Sequence, residues 1–367
     1  MTTLNEIQTP CLVLDRGILE RNLRRMSHAM SGHGVALRPH LKTAKSAEVA
    51  RLATRGEAGG ITVSTLAEAE YFADHGFTDI LIAAALPPAK LDRAAGVIAM
   101  GAVVTLVTDH VAGAEAIASH DASFQALVEI DSGDRRAGVR ASSDMLPEIG
   151  RALGPKLRGV LTHAGHSYSC SDTECMKEVA EGERMAVVKA AERLRGAGLD
   201  CTVVSVGSTP TMTHVERLDG VTEARPGVYM FQDLFQATIG SCTRDDIAMT
   251  VLASVIGVNR DENRFLIDAG ALALSKDRST DGTPGDAGYG EVWDIHGTPL
   301  DGGWKIERVF QEHGAAAGDG PIDHIRLGDR VRIGPNHACI TAAAHDRYYV
   351  VDGGLEVVAE WGRVNGW

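Results

Sequence analysis

No stretch of the 367-residue chain approaches the roughly 20 consecutive apolar residues that a membrane-spanning helix requires. The opening MTTLNEIQTP also lacks the basic and then apolar pattern of a signal peptide. These two absences predict a cytoplasmic protein with no membrane partner. Clusters of basic residues are missing too: 36 Lys and Arg stand against 49 Asp and Glu, a formal charge of −13, and the basic residues form no long run. Nucleic-acid phosphates need clustered Lys and Arg, so a general nucleic-acid binder is excluded and small-molecule chemistry is favoured. Cysteine is sparse and scattered (Cys11, Cys170, Cys175, Cys201, Cys242 and Cys339), with no framework spacing, and a chain this long needs no disulfides for stability. Five of the six are expected to be structural, Cys339 being the exception. Apolar residues at 44% and charged residues at 23% are ordinary globular values that exclude disorder. The length fits one large barrel with a smaller domain, or two comparable domains.

Short β-rich runs alternate with amphipathic helical stretches from Cys11 to about Ser208, the pattern of parallel strands joined by crossover helices. Eight runs stand out: Cys11–Asp15, Ala36–His40, Ile61–Thr65, Asp79–Ala85, Val103–Asp109, Ala126–Asp131, Gly159–Ala164 and Val203–Ser208. Between the first two, Leu19, Leu23 and Met26 fall on one helical face and Glu20, Arg21, Arg24 and Arg25 on the other. Eight β-α steps predict a closed (β/α)8 barrel with its active site at the C-terminal ends of the strands. Residues able to do chemistry gather there: His40 and Lys42, Arg136, His163 and Tyr168, and Gly207-Ser208-Thr209. After Cys242 the rhythm changes to strands and turns, including a hairpin around Asp352-Gly353-Gly354, so the expected organisation is a barrel over 9–242 and an all-β domain over 243–367, with residues 1–8 packing on the latter. The loop from Lys276 to Gly290, rich in Gly, Asp and Thr, reads as a surface or active-site loop.

Three segments carry candidate chemistry. Lys42 lies just past a barrel strand, where a desolvated, neutral amine can form a Schiff base; its ordinary alternative is a solvated lysine. Gly207-Ser208-Thr209-Pro210-Thr211 offers amides and hydroxyls to a phosphate, or is simply a turn. In Pro335-Asn336-His337-Ala338-Cys339 the histidine and cysteine alternate on what reads as an extended segment and so share a side. Imidazole and thiolate suit zinc, and two protein ligands leave coordination positions open; such a pair also arises by chance.

Eight segments together resemble the D-serine dehydratase and D-threonine aldolase family, which shares its barrel with alanine racemase. They are residues 9–15, 38–46, 60–70, 159–165, 203–211, 217–229, 311–314 and 335–339, spread along almost the whole chain. Within the family the likeness is greatest to the bacterial D-threo-3-hydroxyaspartate dehydratases. The resemblance implies pyridoxal 5′-phosphate held by Lys42, with Arg136 at the cofactor's phenolic oxygen and His163 against the pyridine ring. It further implies Ser208, Gly227 and Val228 at the phosphate and Arg225 at the pyridine nitrogen. His40, Tyr168 and Thr209 join the expected cofactor-binding set. His337 and Cys339 match the metal pair of the dehydratases, with zinc, or manganese or another divalent ion, as the metal.

The activity implied by the resemblance is that of a lyase acting on a β-hydroxy D-amino acid, of the 3-hydroxy-D-aspartate or D-serine type, and releasing a 2-keto acid and ammonia. An aldolase giving glycine and an aldehyde is the alternative; that branch carries His-x-Asp where this chain has His-x-Cys. A racemase would have no use for the metal, and a cofactor carrier without turnover would not need the β domain with its metal pair. Related two-domain barrels complete each active site with a partner's β domain, so a homodimer is expected.

Overall fold

The computed structural model describes residues 2–367. The chain divides into two compact units. One runs from Arg24 to Gly227 with Gly366–Trp367; the other joins the chain up to Leu23 to Val228–Asn365. Among the described residues no helix is long and apolar enough to cross a membrane.

Strand β1, Cys11–Asp15, reads in the sequence as the first barrel strand, and the structure corrects this. It pairs antiparallel with β10 (Met249–Asn259) and parallel with β16 (Arg347–Val351), inside the β unit. The eight barrel strands are β2 (Ala36–Leu37), β3 (Ile61–Val63), β4 (Asp79–Ile82), β5 (Val103–Thr108), β6 (Gln125–Ile130), β7 (Leu157–Thr162), β8 (Val203–Val206) and β9 (Glu223–Ala224). Their order is β2-β9-β8-β7-β6-β5-β4-β3, all neighbours parallel. A parallel bridge from His40 to Thr62 joins the two outer strands, backed by Leu41 N–H to Thr62 O at 2.8 Å and Thr62 N–H to Pro39 O at 3.0 Å. The barrel is therefore closed. Its eighth strand is the two-residue β9, too short to register as an apolar run, and it delivers Arg225 to the strand ends.

The crossover helices follow from ordinary rules. Thr65 caps Leu66–Asp74 by accepting from Glu68 N–H, and Asp172 caps Thr173–Gly196 by accepting from Cys175 N–H. In the latter helix Met176, Ala180, Glu183, Val187, Ala190 and Leu194 form the buried stripe, at helical spacing. At its start, Cys170 and Cys175 form a disulfide, with Cα atoms 5.6 Å apart. This too corrects the sequence reading. The turn into the helix brings together two cysteines only five residues apart, a closeness that a search for a framework spacing passes over.

In the β unit the sheet order is β11-β14-β13-β12-β15-β10-β1-β16-β17, where β11 is Arg264–Ile267, β12 Glu291–Trp293, β13 Lys305–Val309, β14 Gly314–Ala317, β15 Arg330–Gly334 and β17 Ala359–Gly362. Because β11 also pairs with β10, strands β10 to β15 close on themselves, and β1, β16 and β17 extend the sheet outward. Leu4, Ile7, Cys11, Val13, Leu252 and Val351 share one core cluster. The hairpin β16–β17 turns through a segment longer than its Asp352-Gly353-Gly354 tip.

At Gly159 in β7 the neighbouring strand leaves no room for a side chain. The glycine's φ is +155°, and a Cβ there would lie 1.8 Å from the Val203 carbonyl oxygen of β8. Gly159→Ala is expected to cost about 3 kcal/mol through overpacking and backbone strain. Gly182→Ala, on an exposed helical face with open space around it, should instead stabilise by about 1 kcal/mol. Denaturant unfolding midpoints check both signs; a Gly159→Ala protein as resistant as wild type would contradict the packing described.

Candidate active site

The strand ends surround a cavity of about 270 Å³, close to the lower end of ligand-sized pockets, roughly 300 Å³. His40, Lys42, Arg136, His163 and Arg225 line it, together with Glu129, Ser64 and Gly207. At the opposite mouth, where the strands begin, a larger cavity of about 410 Å³ is bordered by Arg38, Asp79 and Glu223. Size alone would favour that end, but its charges are spent on one another. Arg38 forks onto Asp79 at 2.9 and 2.8 Å and reaches Glu223 at 2.8 Å. The smaller cavity holds the amine and the reactive groups.

Lys42 is aimed into this space by a tight local turn. Leu41, Thr43 and Ala44 on either side of it are fully buried, Lys45 N–H bonds back to Leu41 O at 2.8 Å, and Lys42 N–H reaches His40 Nδ1 at 3.4 Å. The neighbouring Lys45 is committed elsewhere, its Nζ lying 3.2 Å from the buried Glu68 carboxylate. Arg225, 4% exposed, is pinned through its guanidinium to the Ser205 hydroxyl, the Val206 carbonyl and the Thr162 carbonyl. Arg136 is more open, with Asp134 at 3.8 Å.

His163 is oriented by an indirect route. Its Nδ1 donates to the Gly207 carbonyl at 3.1 Å, which leaves Nε2 as the acceptor of a neutral ring. Gly207 is held in turn by Glu183, whose Oε1 accepts from Gly207 N–H at 3.0 Å and from Ala164 N–H at 3.1 Å. Burial pushes the Glu183 carboxyl up from the ordinary carboxylate range, and burial likewise raises Glu129. Neither acid stands out in the sequence. Glu183 is legible in principle, since it falls on the buried stripe of its helix.

The remaining predicted cofactor residues do not line this cavity. The ring of Tyr168 lies 6.3 Å from that of His163, centroid to centroid. Ser208 caps the short helix Thr209–His214 in a capping box with Thr211, and its hydroxyl is also 2.9 Å from that of Ser167. Thr209 is fully buried. At Gly227 a Cβ would come within 2.9 Å of the His40 carbonyl oxygen, so a glycine is what fits there. Val228 is buried and belongs to the β unit. An amine, two guanidiniums and a neutral imidazole around a small space suit a compact anionic carbonyl compound, and pyridoxal phosphate fits that description.

In the β unit, His337 and Cys339 stand at the start of a helix, Ala338–Ala342, and not on the extended strand expected. Strand β15 ends at Gly334, and Asp233 Oδ2 accepts from Ala338 N–H at 2.9 Å, which turns the backbone into the helix. The two side chains still meet, Cys339 bonding to the His337 ring. On the other side of that ring, Nδ1 lies 3.0 Å from Asp277 Oδ2. The His337 hydrogen bond, together with those from Ser279, holds the Asp277 carboxyl down to about 2 against its partial burial. Nitrogen and sulfur donors facing each other, one of them already oriented by a carboxylate, fit a divalent metal such as zinc. Among the described residues no three His, Cys, Asp or Glu side chains are grouped to hold an ion.

Comparison with known proteins gives two family matches: the alanine racemase N-terminal domain over residues 14–234 and a putative serine dehydratase domain over residues 248–351. The chain is 44% identical to the D-threo-3-hydroxyaspartate dehydratase of Delftia sp. strain HT23, across 100% of this chain and 99% of that one. The solved structure of that enzyme has a TM-score of 0.97 with 100% of both chains covered. A cysteine-to-alanine mutant of D-threo-3-hydroxyaspartate dehydratase, solved in the metal-free form, has a TM-score of 0.96 at 43% identity, again over 100% of both chains. The 3-hydroxy-D-aspartate aldolase of Paracoccus denitrificans strain Pd 1222 is 30% identical, over 95% of this chain and 90% of its own.

Burial, with the charge of Lys42 nearby, holds His163 down to about 3, against an ordinary value of 6.5. The unfolded ring takes up a proton near 6.5 and the folded ring does not, so His163 costs stability progressively as pH falls from above 6.5 toward 3. The ring nitrogens should therefore report a neutral Nδ1–H tautomer at about pH 5 by NMR. The loss of thermal stability between about pH 7 and pH 5 should also be smaller in His163→Gln than in wild type. An imidazolium under the same mildly acidic conditions would contradict the burial argument.

Proposed function

Because the chain belongs to the family that joins an alanine racemase N-terminal domain to a putative serine dehydratase domain, we propose that it is a pyridoxal-phosphate- and metal-dependent dehydratase. Its substrate is a β-hydroxy D-amino acid of the 3-hydroxy-D-aspartate or D-serine type, and its products are a 2-keto acid and ammonia. The observation that carries this reading is Lys42, its amine on a cavity lined also by Arg136, His163 and Arg225. Identity of 44% to a D-threo-3-hydroxyaspartate dehydratase along the full chain supports it.

When bound, pyridoxal phosphate takes up the charge left at Cα, and a divalent metal polarises the β-hydroxyl as a Lewis acid. Lys42 Nζ would hold the cofactor and would be the base that receives the substrate's Cα proton. Arg225, fixed by three oxygen partners, would set its positive charge against the pyridine nitrogen and so oppose a proton there. Arg136 would meet the phenolic oxygen, and His163, as a neutral imidazole, would lie against the ring. On the family resemblance Ser208, Thr209, Gly227 and Val228 would hold the phosphate, and His40 and Tyr168 would shape the cofactor's surroundings. His337 and Cys339 would hold the metal, for which zinc is the first choice on donor chemistry and manganese the second. Loss of hydroxide, as opposed to cleavage of Cα–Cβ, is favoured by the His-x-Cys pair.

The deciding experiment incubates purified protein with D-threo-3-hydroxyaspartate, D-serine and D-threonine. Keto acid and ammonia are expected; glycine and an aldehyde would make the chain an aldolase. Borohydride reduction should tag Lys42 and not Lys45, whose amine is engaged by Glu68. Treatment with EDTA, or Cys339→Ala, should abolish ammonia release while cofactor absorbance and Cα-proton exchange persist at least in part, and added zinc should restore the EDTA-treated enzyme. Elimination at full rate in metal-free protein would remove the metal's role. We also propose a homodimer, checked by light scattering of active protein; an active monomer would exclude it.

A further inference from the structure

The polar loop Lys276–Gly290 and the segment that carries the metal pair are tied together at three points. Besides the Asp277–His337 contact, Asn336, 2% exposed, donates its side-chain amide to the Thr280 hydroxyl at 3.0 Å and to the Gly288 carbonyl at 2.7 Å. Both oxygens of Asp277 are occupied. Oδ2 takes His337, while Oδ1 accepts from Ser279 N–H at 2.8 Å and from the Ser279 hydroxyl. A carboxylate so engaged is not an open metal ligand. An imidazole that gives its Nδ1 proton to a carboxylate has only Nε2 to offer a metal, and an anionic partner at Nδ1 makes Nε2 a stronger donor.

Resting on the metal reading above, we propose that Asp277 is the positioning residue of the metal site. It fixes the tautomer and plane of the His337 ring so that Nε2 meets the metal next to Cys339, and it makes the order of the Lys276–Gly290 loop part of the metal affinity. The loop is then a structural partner of the metal site and not only a surface connection. Without Asp277 the ring can rotate or present either nitrogen, and the metal must hold it alone.

Metal affinity, read independently of turnover, tests this. In competition against a chromophoric chelator, Asp277→Ala should bind zinc or cobalt(II) about 10–100-fold more weakly than wild type. Asp277→Asn keeps an acceptor oxygen and should fall between the two. The visible absorbance of the bound cofactor should be unchanged in both variants. Metal should protect the loop from limited proteolysis in wild type and do so less in Asp277→Ala. In wild-type protein loaded with cadmium-113, NMR should find the metal coupled to Nε2 of His337, a measurement that decides the matter even where a variant fails to fold. Coupling to Nδ1, or equal affinity in wild type and Asp277→Ala, overturns this proposal alone. Wild-type protein that takes up no divalent ion overturns it together with the metal reading.

Discussion

One buried carboxyl group inside the barrel unit ties together the ends of two strands beside the cavity. Glu183 reaches from the buried stripe of the helix Thr173–Gly196 to the backbone N–H groups of Ala164 and Gly207, which follow β7 and β8. Those two amides lie where parallel strands have ended, so the barrel's own ladder does not pair them, and an unpaired buried N–H is costly. With them held, the Gly207 carbonyl sits where His163 can donate to it, and Ser208 can begin the next helix. Strand ends, imidazole and helix start are thus set by a single side chain that faces away from solvent.

The same burial governs the chemistry available at the mouth. Histidines 40 and 163 are driven toward the neutral form, and Arg225 is spent on fixed oxygens where it would otherwise bind water. A site of this kind arrives with its dipoles already arranged and loses little on reorganisation. The β unit follows another logic: the His337 ring is held by the Asp277 carboxylate, at a helix start that a hydrogen bond to Asp233 helps define.

How much of this was legible depended on the range of the interaction that fixes each feature. Apolar runs gave away seven barrel strands, and their ends located His40, Lys42, Arg136 and His163, which line one cavity. The strand Cys11–Asp15 misled because five consecutive buried residues look the same in a parallel barrel as in the middle of a mixed sheet; only its partners β10 and β16 tell the two apart. Strand β9 is two residues of Glu and Ala with no pattern to read, yet it closes the barrel. The disulfide, the helical start at His337 and its contact with Asp277 depend on turns and pairings that spacing does not encode.

The placement of β1 has a consequence for how the chain is made. Its five residues leave the ribosome early, but β10 begins only at Met249 and β16 at Arg347. At about 5–20 residues per second, the apolar Cys11–Asp15 waits roughly ten to fifty seconds for the first of its sheet neighbours. Arg24–Gly227, by contrast, is one continuous stretch, complete before β10 is translated. Synthesis thus finishes the barrel while leaving a sticky strand unpaired ahead of it, a period in which nascent chains are exposed to association through that strand and to capture by chaperones.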